Sequence, residues 1–161
     1  MADTRYLTKQ VEEHVRGALA DQYGQPFTKE RLTLTSGGHH EFDAVAADRS
    51  VIASVRSASG RTSGGNHPTG KVMACIAEMY FLTLVEAPVR ALVLTSAEMH
   101  EILLKTLRGR IAPGLSVVHI PLPDAIQTLA SEVHGQASAE MSSVLDPVET
   151  AALQQAVTDV D

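Results

Sequence analysis

Tryptophan is absent, aromatic residues make up 4% of the chain, and one cysteine, Cys75, stands alone. The core must therefore be assembled from Val, Leu, Ile, Ala and Met. A single cysteine excludes an internal disulfide and offers no thiolate neighbour for zinc, and it fits a reducing, cytoplasmic compartment. No apolar run approaches the roughly 20 residues of a membrane span, and no stretch has the form of a signal peptide. No membrane association is expected. Lysine and arginine are missing after Arg110: residues 111–161 hold seven acids and no base, while all 13 bases and 12 of the 19 acids lie in residues 1–110. The formal net charge of −6 argues against a protein that coats nucleic acid indiscriminately, because such binding is mostly phosphate neutralisation. A local site remains compatible with it. Acids are in turn missing between Arg49 and Ala77, where Arg49, Arg56, Arg61 and Lys71 stand. That stretch is the expected basic surface.

What is present divides cleanly into elements. The 161 residues suffice for one domain that buries roughly 70% of its unfolded surface. Leu7, Val11, Val15, Ala18 and Leu19 form one stripe at helical spacing, and Gly24 is the expected stop. "ERLTLTSGG", "HEFDAVAAD" and "SVIASVRSA" read as three consecutive strands of an antiparallel meander, with Asp48-Arg49 as a turn. "SGRTSGGNHPTG" is a loop by composition. Lys71 to Val85 is apolar nearly all round and predicts a largely buried helix with Met73 and Met79 in the core. "VRALVLTS" is a short strand. Thr95 and Glu98 have capping-box spacing and open a helix to about Leu107. "LSVVHIPLP" is another buried strand, and "DAIQTLASEVHG" a last packed helix. Strands alternating with helices in the second half predict parallel pairing there. The expected fold is therefore α/β, a mixed central sheet flanked by helices, over residues 1–135. Residues 136–161 form an acidic C-terminal segment, peripheral or partly ordered, with a short helix after Asp146.

Side chains alternate along strands. Glu41, Asp43 and Val45 are expected on one face, with Phe42, Ala44 and Ala46 on the other. In the next strand Ile52, Ser54 and Arg56 share a face. Hairpin pairing with the polar faces matched brings Asp43, Ser54 and Arg56 to one patch, beside the Gly-rich loop and beneath the first helix.

The pattern "HEFDAVA.D..VIA.VRS", followed by a Gly-rich loop, "GK", a buried helix and "ALVLTS", resembles the PD-(D/E)xK nuclease superfamily, with its restriction-endonuclease-like fold. The resemblance covers roughly residues 7–123, and its specific part is 41–57. It implies that Asp43 matches the first Mg²⁺ ligand. Ser54 stands where the second acid belongs, and Arg56 where the lysine that stabilises attack on phosphate belongs. A glutamate from the first helix often assists in that family. Glu12, at the border of the apolar stripe, is the better candidate, because Glu13 points nearly opposite. Mg²⁺ can be held by one or two carboxylates plus substrate phosphate, so Asp43 and Glu12 are the expected ligands of a weak metal site. Arg56 suits bidentate phosphate contact and cannot act as a base. Losing one transition-state donor typically costs on the order of 10²–10³ in rate.

Other motifs carry less. "GNHPTGK" matches G-x-x-x-x-G-K. However, Val72 replaces the Mg²⁺-binding Ser/Thr, Pro68 removes an N–H, and seven residues, Ala58 to Gly64, separate it from the strand. His39 and His40 point to opposite strand faces, His67 lies on a loop, and His119 sits in an apolar strand as a core histidine. Lys71 shares a face with Glu78 that reads as solvent-directed.

The expected function is a nuclease-like, nucleic-acid-associated protein with an inactive or weakened phosphodiesterase site, gripping backbone phosphate through Arg56, Arg61 and Lys71. One alternative is an active Mg²⁺-dependent nuclease with Glu12, Asp43, Arg56 and Lys71 converging. Another is a protein-interaction module, often homodimeric.

Overall fold

Two apolar faces organise this chain. They are made by the strands β1 (Phe27–Thr33), β2 (His39–Ala46), β3 (Val51–Arg56), β4 (Val89–Leu94) and β5 (Leu115–His119). The computed structural model describes residues 4–62 and 64–143. The strands form one sheet in the order β1-β2-β3-β4-β5. The pairs β1–β2 and β2–β3 are antiparallel, whereas β3–β4 and β4–β5 are parallel. This is the mixed sheet expected from a meander followed by strand–helix alternation. Helices α1 (Thr4–Tyr23) and α4 (Asp124–Ser143) cover one face, and α2 (Thr69–Thr83) and α3 (Ala97–Thr106) the other.

The two faces differ in residue size. Beneath α1, Val15 and Leu19 rest on Ala44, Ala46, Ala53 and Ala91. Small side chains there let the helix approach the sheet closely. On the opposite face Phe42, Val45, Ile52, Leu92 and Leu94 meet Val72, Cys75, Met79 and Leu82 of α2, and Met99 and Leu103 of α3. Central β3 and β4 are buried on both faces, so they read as nearly continuous apolar runs.

The ends of the elements follow local chemistry. Gly24, at φ 66°, closes α1 with its N–H bonded to Ala20 O at 2.8 Å. Strand β1 begins at Phe27, earlier than its alternation suggested, and Leu34 to Gly38 make the turn, with Leu34 N–H donating to Gly38 O. The cap of α3 is Ser96 rather than Thr95: its hydroxyl accepts from Met99 N–H at 3.2 Å, one residue along from the expected box. Helix α4 runs to Ser143 instead of stopping near Gly135, and the helix expected after Asp146 lies outside the described residues. Helix α2 is not buried all round. Val72, Cys75, Met79 and Leu82 face inward, while Met73 and Tyr80 are exposed, so Met73 is not a core residue. No described helix is long and apolar enough to cross a membrane.

Candidate functional site

The site starts from an irregularity in β2. Thr28 pairs with Val45 and Glu30 with Phe42, so Lys29 alone opposes both Asp43 and Ala44. This is a β-bulge, with two residues against one. It resets the alternation. Phe42 and Val45 now belong to the α2 face, and Ala44 and Ala46 to the α1 face. The expected grouping of Glu41, Asp43 and Val45 on one face therefore fails at Val45. Arg16 of α1 secures the bulge by donating to the Asp43 backbone carbonyl at 2.8 Å.

The bulge also places the Asp43 carboxylate between strands. The β2–β3 pairing runs through Ala44↔Ala53 and Val45↔Ile52. Beyond it, Val55 N–H donates to Asp43 Oδ2 at 2.7 Å, so a side chain takes over from the backbone ladder. A cleft of about 390 Å³ opens there, lined by Thr8, Glu12, Glu41, Asp43, Val55, Arg56, Ser57, Ala58 and Glu78. Burial pushes the Asp43 carboxyl above its usual range, with Glu12 and Glu78 adding to the rise. The Val55 N–H and Lys29 work against it.

Of the sequence-derived candidates, Glu12, Asp43 and Arg56 line this cleft. Ser54 does not. It is 1% exposed, it lies on the α2 side with Ile52, and its hydroxyl has no hydrogen-bond partner. The expected convergence of Asp43, Ser54 and Arg56 is thus incomplete. Arg56 points toward α2, where Nη2 meets Glu78 Oε1 at 2.6 Å. Lys71 lies apart: its ammonium donates to Ser59 O at 3.0 Å and to Arg61 O at 2.7 Å, tying down the Gly-rich loop. Lys71 cannot replace a lysine in the cleft from there. Gly60 of the same loop lies so close to α3 that a Cβ would meet Glu98 Cγ at 2.6 Å.

The expected basic surface is largely neutralised from within. Arg49 pairs with Glu30, Arg56 with Glu78 and Arg61 with Glu98. The partners come from elements distant in sequence, which is why the acid-free stretch looked unopposed. Arg61 is nevertheless 85% exposed, and such a surface pair is worth at most about 1 kcal/mol.

Sequence reasoning missed Glu78, Glu41, Lys29 and Arg16. Glu78 is the lone acid of α2 and flanks its buried stripe, which was the available signal. It is not solvent-directed: His40 Nε2 lies 3.2 Å from its Oε2, and the His40 ring stacks on Phe81 at 4.0 Å. His40 therefore has a structural place, as does His119, whose Nε2 lies 3.3 Å from Thr95 O. Glu78→Ala should lower stability by about 1–2 kcal/mol by stripping Arg56 of its partner. Urea unfolding would check this, and Glu78→Gln should recover part of the loss.

Glu12, Glu41 and Asp43 do not fit a divalent cation as they stand. Lys29 Nζ already lies 3.2 Å from Glu12, 3.6 Å from Glu41 and 3.8 Å from Asp43. Among the described residues no group of three or more His, Cys, Asp or Glu side chains is set to hold a metal ion. No protein-family model, curated protein or solved structure matches the chain.

Proposed function

We propose that this chain is a nuclease-like, nucleic-acid-associated protein of the PD-(D/E)xK type, with a restriction-endonuclease-like fold, whose cleft engages backbone phosphate without cleaving it. The observation that supports the reading best is the cleft itself. Glu12 from the first helix, Asp43 from a bulge in the second strand and Arg56 from the end of the third meet where β2 and β3 part. Their chain order is the one the resemblance implies. The chemistry favours binding over cleavage. Arg56 keeps a positive charge and a fork suited to phosphate but cannot take a proton. Ser54 supplies no carboxylate. Arg56 in the cleft, and Arg61 and Lys71 on the adjoining Gly-rich loop and the start of α2, would exchange their internal partners for oxygens of neighbouring phosphates, and Lys29 adds a further cation at the rim.

The test is a fluorescence-anisotropy titration of short DNA and RNA at two salt concentrations. Binding should be weak and should fall with salt, because phosphate contacts release counterions. Charge reversal at Arg61 and Lys71 together should weaken it at least about ten-fold. Binding that ignores both salt and the double reversal would remove the proposal. The internal pairing of Arg49, Arg56 and Arg61 favours a second reading, a protein-interaction module, for which the same titration would show no binding.

A further inference from the structure

A cation that belongs to the chain sits among the carboxylates at the rim of the cleft. Lys29 Nζ lies 3.3 and 3.2 Å from the two Glu12 carboxylate oxygens, 3.6 Å from Glu41 Oε1 and 3.8 Å from Asp43 Oδ1. Three carboxylates, from α1 and β2, thus converge on one ammonium from β1. We propose that Lys29 is the resident cation of this carboxylate cluster at the cleft rim and keeps divalent metal ions out of it. The comparison with a metal-dependent nuclease rests on the reading above; the exclusion rests on the geometry alone.

Two features favour the ammonium. The first is the bulge. Lys29 is the one β1 residue opposite Asp43 and Ala44, so the irregularity that aims Asp43 into the cleft also sets it beside Lys29. Arg16 holds that arrangement through the Asp43 carbonyl and lies 3.5 Å from Glu12, adding a second positive charge on the α1 side. The second is electrostatic. The Lys29 ammonium is hydrogen-bonded to both Glu12 oxygens and faces Glu41 and Asp43 at 3.6 and 3.8 Å, so the negative charge a dication would need is already partly offset. A dication touching Glu12 and Asp43 would sit within a few ångströms of that ammonium. Mg²⁺ also demands near-octahedral oxygen geometry, and here the carboxylates are already turned toward a different cation.

Manganese binding by the full-length chain tests this, with Mn²⁺ followed by electron paramagnetic resonance. The wild type should take up no Mn²⁺ at micromolar concentrations. Lys29→Gln removes one charge about 4 Å from the ion and should tighten the Mn²⁺ Kd by about thirty-fold. Lys29→Arg keeps the charge and should behave as wild type. Adding Glu12→Gln to Lys29→Gln should abolish the gain. Thermal melts give a second readout: Mn²⁺ should raise the Tm of Lys29→Gln and leave that of the wild type unchanged. Equal Mn²⁺ affinity in wild type and Lys29→Gln would overturn the proposal. So would micromolar binding by the wild type that Glu12→Gln abolishes, a measurement independent of whether the Lys29 variants fold. No nucleic acid enters these experiments, so loss of nucleic-acid binding would remove the reading above and leave this one standing.

Discussion

Ser54→Glu should destabilise the chain by about 3–5 kcal/mol, the usual scale for an uncompensated buried charge. The substitution writes the missing acid of the nuclease pattern back into the third strand, and the structure leaves no room for it. Ser54 is 1% exposed, on the side of β3 that packs under α2. A glutamate there would bring a longer side chain into a close-packed layer and place its charge on the face where Arg56 is already paired with Glu78. Ser54→Ala makes the opposite expectation. The Ser54 hydroxyl is buried without a partner, so removing it should leave stability unchanged or raise it by up to about 1 kcal/mol. Chemical denaturation of the two variants beside wild type checks both signs. A Ser54→Glu chain as stable as wild type would show that position 54 opens into the cleft after all.

Asp43 should show the next largest effect, and the choice of substitution should decide its sign. Asp43→Ala leaves Val55 N–H without its acceptor, which should cost about 1–3 kcal/mol. Asp43→Asn keeps an oxygen in that place and removes a charge that burial disfavours, so at neutral pH it should be as stable as wild type or more so. The pH dependence has a defined direction. Burial, first among the causes, raises the folded-state carboxyl above its usual 3.8. As pH climbs past 3.8, the unfolded chain gives up this proton before the folded chain does. Stability contributed by this group therefore falls as pH rises through that window, up to the folded-state value. Wild type should lose stability there relative to Asp43→Asn. The difference between their urea midpoints across pH 3–7 reads it directly, and a difference that shrank with rising pH would contradict the assignment.

Sheet pairing and the buried face of α1 were legible in the sequence because period and turn chemistry fix them, whereas the face of α2 was not. Leu7, Val11, Val15 and Leu19 do form the buried stripe of α1, and the strands pair as the meander and the alternation predicted. Three features escaped, each non-local. The bulge at Asp43–Ala44 appears only when β1 is laid against β2, since no glycine marks it. The partners of Arg49, Arg56 and Arg61 lie 19, 22 and 37 residues away in the chain, so an acid-free window in sequence did not become a free basic surface in space. Glu78 was read as solvent-directed because helical spacing ties it to Lys71. Its contacts with Arg56 and His40 hold it inward instead. Asp43 and Arg56 were found from hairpin pairing, and Glu12 from what the family resemblance implies, but the bulge that sets the Asp43 carboxylate in the cleft was not visible. Lys29 was not found, because its role depends on a strand register.

A cleavage assay addresses the central claim most directly. Wild type and Asp43→Ala would each be incubated with end-labelled single- and double-stranded DNA and RNA, with Mg²⁺ and with Mn²⁺. The account predicts no cleavage by either protein above a no-protein control. Robust metal-dependent cleavage by wild type that disappears in Asp43→Ala would contradict it.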